Sequence, residues 1–165
     1  MPVTPLHIGI PGIPSFIRPD RVDISAAILG STLVDIDFFL HILTGSDIHG
    51  RLHSYPGATL LALLLIVVIW KGDPLFIKIK GWFRWETETN LRAITLGAFL
   101  GTYSHVLLDS FIYWDLNPWS PFGEDNPFYW HDHHDLMTSL VYMIASLTTI
   151  SLLVLWVRQF GKAQK

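Results

Sequence analysis

The sequence predicts an all-α fold: an integral membrane bundle of about four hydrophobic helices with a polar metal site near one membrane face. Three observations predict it. Half of the 165 residues are hydrophobic and 15% are charged, with a mean hydropathy of +0.39. That composition excludes a disordered chain and disfavours an ordinary soluble domain. Residues 136–157 (LMTSLVYMIASLTTISLLVLWV) run without a charge; as a helix they reach about 33 Å, enough to cross a hydrocarbon core of about 30 Å. Finally, eight histidines are present, and most of them fall near aspartates at the ends of apolar segments.

The elements follow in chain order. Residues 1–21 form a Pro/Gly-rich arm. Its start, MPVTPLHIGIPGIPSF, has no basic opening and no uninterrupted apolar run, so it is not a signal peptide. The first hydrophobic helix, 22–43, carries Asp23, Asp35, Asp37 and His41. The second, 55–70, ends at the interfacial pair Trp70 and Lys71. The third, 91–114, carries Arg92, His105 and Asp109, and the fourth is 136–157. Two connections, 71–90 and 115–135, join them. The first mixes Lys/Arg with Phe and Trp and is expected on the lipid surface. The second contains NPWSPFGEDNP (117–127), too rich in Pro, Gly and Asn for regular structure, and is either a lid over the site or a rigid connection. No repeat interrupts this plan, so residues 1–165 are expected to make one membrane-embedded domain.

Charge placement gives an orientation. Ten of the eleven Lys/Arg residues lie on one side if both termini and the 71–92 region are cytoplasmic; Arg51 is the exception. All seven tryptophans fall at helix ends or in loops, as in an aromatic belt. A soluble bundle with buried apolar helices is the alternative. A net charge of −3 gives no basic field for nucleic acid, and none is expected as a partner. The absence of cysteine excludes disulfides, thiolate zinc ligands and a cysteine nucleophile. There is no P-loop, dinucleotide fingerprint or Gly-x-Ser-x-Gly elbow. Ser54 and Ser104 each sit beside a histidine, but adjacent helical residues point in different directions.

Ten ionisable groups from four stretches are expected toward the non-cytoplasmic end: Asp35, Asp37 and His41; His49 and His53; His105 and Asp109; His131, His133 and His134. Such groups are costly in hydrocarbon unless paired, hydrated or metal-bound. Asp37 and His41, His49 and His53, and His105 and Asp109 are each four residues apart, a spacing that puts both members on one helical face. Imidazole plus carboxylate without sulfur suits Zn²⁺, Mn²⁺ or Fe²⁺. Asp35 and Asp37 fall on different faces of a continuous helix; both serve one site only if the helix breaks there or one acts indirectly. Plainer readings exist for each element: a His105–Asp109 ion pair, aspartates at a helix end, a packing role for His41, a solvated helix start at 131–135.

Four strings resemble a known family: Thr4-Pro5-Leu6-His7, Leu33-Val34-Asp35-Ile36-Asp37, His49 through His53-Ser54, and Gly101-Thr102-Tyr103-Ser104-His105-Val106-Leu107-Leu108-Asp109. In this order they look like the LexA-binding, inner-membrane-associated metal-dependent hydrolase family, over roughly residues 4–125. The family is distantly similar to zinc-dependent phospholipase C, where a His-x-x-x-Asp helix also supplies ligands. The resemblance implies a multi-pass inner (plasma) membrane protein and a metal set of His7, Asp35, Asp37, His49, His53, His105 and Asp109. The spacing His49-Gly50-Arg51-Leu52-His53-Ser54 is shorter than in many members. One or more divalent ions, zinc first among them, would lower the pKa of a bound water toward about 7. Asp35 or Asp37 is then the candidate catalytic base, and Arg51 the candidate substrate-binding residue for an anionic group. Membrane lipid and a lipid-like ester or phosphoester substrate are the expected partners. The non-enzymatic alternatives are a metal or proton transporter and a protein that keeps a metal for stability.

Overall fold

A computed structural model describes residues 6–45, 50–85, 90–123 and 125–162. Within them the chain forms α1 (Gly9–Ile17), α2 (Ile24–Leu33), α3 (Ile36–Thr44), α4 (Tyr55–Lys71), α5 (Asp73–Trp82), α6 (Leu91–Ile112) and α7 (His134–Lys162), with no strand among the described residues. Short 3₁₀ turns at Arg51–His53 and His131–His133 lead into α4 and α7.

Local chemistry sets the helix starts. The Asp23 side chain accepts the Ala26 N–H at 2.9 Å and opens α2. Ser54 accepts from Gly57 at 3.2 Å ahead of α4, and Asn90 accepts from Ala93 at 2.8 Å ahead of α6. Each such cap contributes about 1 kcal/mol. Gly45, at φ +69°, closes α3 in the left-handed conformation that glycine adopts without strain.

Three segments differ from expectation. The arm is not irregular over its length: it contains α1. Pro11 lies in the first turn, where a proline costs no hydrogen bond, and the Ser15 hydroxyl donates to the Pro11 carbonyl at 2.7 Å. The helix expected over 22–43 breaks after Leu33. Asp35 stands in the N-cap position of α3, a place aspartate favours over a helix interior. A tight turn follows, in which Phe38 N–H donates to the Asp35 carbonyl at 3.0 Å. In the 71–90 connection, α5 leaves α4 at 87°, across the break at Gly72.

α2 and α6 run in the same direction, while α1, α4 and α7 run the opposite way. Asp23 N–H donates to the Ala93 carbonyl at 2.9 Å, so α2 and α6 start level with each other. A Cβ on Gly97 or Gly101 would press on the α2 backbone at Asp23 or Ala27, and one on Gly30 would meet the Ala98 carbonyl. Small residues thus bring the two backbones together, as in membrane helix pairs. Ala62, Leu65 and Ile69 of α4 close over Ala26, Ile94 and Ala98. Gly9 and Gly12 fit α1 against Thr149 and Leu152 of α7.

Three helical segments are long and apolar enough to cross a membrane: Ile24–Thr44, Leu91–Ile112 and His131–Gln159. α4 with α5 makes a bent fourth. Their outward side chains are apolar; Leu60, Leu64, Leu147 and Ile150 are all more than half exposed. Arg18, Arg21, Lys71, Lys78, Arg84, Arg92 and Arg158 gather at the end where α2 and α6 begin, the basic end. There Lys80 of α5 is fully buried. Its Nζ lies 2.9 Å from Asp23 Oδ2, with both side chains 1% exposed.

Removing one partner of a buried pair strands the other charge. Asp23→Ala should therefore lower stability by about 3–5 kcal/mol, read as a lower melting temperature of the detergent-solubilised protein. The double variant Asp23→Ala/Lys80→Met should recover much of that loss.

Candidate metal centre

Three stretches of chain converge where α2 gives way to α3. The 3₁₀ turn before α4 brings His53. α6 brings His105 and Asp109, one helical turn apart. The α2–α3 break brings Asp35. One ligand atom from each of Asp35, His53, His105 and Asp109 lies within 4.8 Å of every other, and all four residues are buried. The Asp35 and Asp109 carboxylates face both imidazoles. His105 Nε2 is 3.2 Å from Asp109 Oδ2 and 3.4 Å from Asp35 Oδ1; His53 Nε2 is 3.5 Å from Asp35 Oδ1 and 3.8 Å from Asp109 Oδ2. Ligands at about 2.0–2.1 Å around a tetrahedral zinc stand about 3.3–3.4 Å from one another. The four atoms are therefore spaced like corners of a coordination polyhedron.

The other ring atoms are held from behind. The backbone carbonyl of Ser31 accepts from His105 Nδ1 at 2.6 Å, which fixes the proton there and turns the Nε2 lone pair to the group. Asp37 Oδ2 lies 3.3 Å from His53 Nδ1 and accepts the Leu52 N–H at 2.8 Å. Its carboxylate orients the His53 ring, as outer carboxylates do for metal-binding histidines. Gly50 is required beside it, since a Cβ there would stand 2.8 Å from Asp37 Cγ. His105 Nε2, which faces the group, is buried and makes no hydrogen bond to another described residue. Uncompensated polar atoms of this kind are costly, and a cation would satisfy them. The residues fit a divalent ion on that ground.

His7 adjoins this group without being one of the four. Its Nδ1 is 3.0 Å from His105 Nδ1, and its Nε2 is 3.5 Å from Asp109 Oδ1. Asp109 thus turns one oxygen to the group and the other to His7. Burial pushes the His7 imidazole down to about 4, with His105 adding to the shift, so its ring is neutral near pH 7. Burial acts in the same direction on His53, but its contacts with Asp35 and Asp37 outweigh it and raise the value.

The sequence-derived set is therefore divided. The structure brings together His7, Asp35, Asp37, His53, His105 and Asp109. Asp37 is turned away from the ligand position, toward His53 and Leu52, so it stands behind the group. His49 lies outside the described residues. Arg51 is exposed, at the start of the turn that ends in His53. The ten groups do not share one depth. α6 continues seven residues beyond His105, about 10 Å, and Val141 of α7 packs level with Leu108 and Ile112. His131, His133 and His134 therefore lie well beyond the group, with the Tyr129 ring against His131 at 4.7 Å. His41 is half-buried on α3 and makes its own contacts. Sequence reasoning missed the Ser31 carbonyl and Gly50, because backbone acceptors and close approaches leave no mark in residue type. It also missed Gly9, where a Cβ would strike Thr148 and Thr149 and displace His7.

The fold and this group define a class: an α-helical membrane protein with a buried His/Asp cluster between its helices. A family model described as YdjM inner membrane protein matches residues 8–164, and the chain belongs to that family. It is an inner-membrane protein. The match covers the inner-membrane part of the resemblance drawn from the motifs; the LexA-binding and phospholipase C likenesses are no part of it. No curated protein and no solved structure matches the chain.

Outer-shell carboxylates typically contribute 10–100-fold in metal affinity, so, with zinc held by this group, Asp37→Ala should weaken its binding by about that factor. His105→Ala should abolish it. Competition against a chelating dye in detergent measures both.

Proposed function

We propose that this protein is a metal-dependent hydrolase of the inner membrane, acting on a phosphoester or ester bond of a lipid-like substrate. The observation that supports it most is the convergence of Asp35, His53, His105 and Asp109 at coordination distances. The side chains of His53, His105 and Asp109 are 0–2% exposed, whereas those of Asp35 and Asp37 are 10% and 9% exposed. The group is least enclosed at its carboxylate edge.

Zinc is the ion that the donor set suits best, and when bound it supplies a water of lowered pKa and a positive charge for a developing oxyanion. The chain's residues do the rest. His53, His105 and Asp109 hold the ion on the buried side. Asp37 and the Ser31 carbonyl keep the two rings in one tautomer and one orientation. Asp35, at the exposed edge, accepts the proton of the attacking water. Arg51, exposed on the adjacent turn, draws an anionic head toward that edge. In this reading the apolar helices cross the membrane several times and the basic end is cytoplasmic.

A second reading is a protein that keeps the ion for stability alone. The burial of His53, His105 and Asp109 at the junction of α2, α3, α4 and α6 favours it. The two readings agree on metal and differ on turnover.

Elemental analysis of the purified protein should find about one zinc per chain, and His105→Ala/Asp109→Ala should lose it together with hydrolysis of phosphodiester and ester lipids. Zinc content unchanged in that variant refutes the site. Zinc lost without any chelator-sensitive hydrolysis in the parent protein leaves the stabilising role.

A further inference from the structure

The connection between α6 and α7 is pinned to the helices on both sides of a tight turn. On one side, the Pro118 carbonyl accepts the Tyr55 N–H at 2.8 Å, and Leu116 and Pro118 are buried. On the other, the Asn126 side chain donates to the Ser110 and Tyr113 carbonyls at the end of α6, each at 2.9 Å. The Phe128 ring meets Phe111 at 5.7 Å. Between these anchors the N–H groups of Phe122 and Gly123 both donate to the Trp119 carbonyl, at 2.8 and 3.2 Å. The turn presents Phe122 at its tip. At 87% exposure it is the most exposed large apolar side chain among the described residues.

The neighbours of the turn place it. The half-exposed Trp119 ring packs on Tyr55 with centroids 5.0 Å apart, Tyr55 on Tyr103 at 5.2 Å, and Tyr103 on Phe99 at 5.5 Å. Phe99 and Tyr103 are one turn apart on α6, and the Tyr103 hydroxyl hydrogen-bonds that of Thr59 on α4 at 2.8 Å. Tyr103 is exposed, so this aromatic row runs along the outward side of α4 and α6. α6 is among the segments long and apolar enough to cross a membrane. Tyr103 stands nine residues before its end at Ile112, about 14 Å along the axis. The chain that leaves α6 has therefore turned back beside the bundle by the time it reaches Trp119. No Lys or Arg occurs between Arg92 and Arg158, so this end of the molecule offers a bilayer aromatic rings rather than cations.

We infer that this turn is inserted into the bilayer leaflet opposite the basic end, with the Phe122 and Trp119 rings at the boundary of headgroups and acyl chains. A turn held by its own backbone and by anchors on both sides does not fold its tip back onto the protein, so the Phe122 ring is covered from outside. The aromatic row that Trp119 extends belongs to the outward surface of α4 and α6, where the bilayer lies. Aromatic rings favour that boundary, and burying a phenyl ring there removes apolar surface from water. The inference rests on the chain's place in the inner membrane and not on the hydrolase reading; the turn is inserted whether or not the metal centre turns over.

The chain contains no cysteine, so Phe122→Cys takes a single nitroxide label in the otherwise unaltered full-length protein. In phosphatidylcholine nanodiscs, collisions of the label with oxygen, which concentrates in lipid, are compared with collisions with a water-soluble nickel chelate. Leu147→Cys, on the outward side of α7, and Asp132→Cys, in the exposed turn before it, supply the lipid and water references. At position 122 oxygen collisions should exceed nickel collisions several-fold, as at 147. The label is itself apolar, so a second measurement follows the native ring: a label on Asp125→Cys should move toward water when Phe122→Asp is added, with helical circular dichroism unchanged. A label at 122 that behaves like the one at 132, or that is shielded from both reagents as a second copy would shield it, overturns the inference. So does a label at 125 that is indifferent to Phe122→Asp.

Discussion

Everything in this molecule hangs on how closely α2 approaches α6. Ala93, Gly97, Gly101, His105 and Asp109 recur every four residues along one face of α6. The first three leave room for the α2 backbone, and the last two carry the buried imidazole and carboxylate of the cluster. The approach has a direct effect on the site. The last turn of a helix leaves carbonyls without intrahelical partners, and α2 ends at Leu33, just past Ser31. The Ser31 carbonyl therefore needs a donor, and His105 Nδ1 provides it across the interface. The geometry of one ring follows from a helix ending and from two glycines a turn or two away.

That logic also separates what could be read from the residues and what could not. The hydrophobic helices were legible from their length and apolar content, and most clearly at residues 136–157, where an uncharged run is long enough to span a bilayer. The His105–Asp109 pair was legible because four-residue spacing fixes a shared face. The break after Leu33 was not, since nothing in Leu33-Val34-Asp35-Ile36 forbids a continuing helix. With it went the distinction between Asp35, which faces the imidazoles, and Asp37, which orients one of them from behind. α1 was hidden by its own composition, because Pro11 in the first turn looks like a proline in a loop and Pro14 stands inside the helix, where proline is disfavoured. His7 came from family resemblance alone. The fold supplies its physical basis: α1 packs back along α7 through Gly9 and Gly12, which brings His7 to the level of His105.

The arrangement of donors also divides labour within a small space. Three side chains are sealed among helices, where burial raises the penalty for any unpaired polar atom and hence the worth of a cation that pairs with them. The fourth, Asp35, sits where the helix is interrupted. An interruption at that depth is tolerable because the freed backbone groups are enclosed by protein rather than lipid.

The Lys80–Asp23 pair carries a consequence for how the chain is made. The two residues are 57 positions apart and enclose each other completely. The pair can close only once α5 has turned back from α4 to the foot of α2. Its closure ties the first third of the chain to the middle third, and loss of either partner would strand the other charge between them.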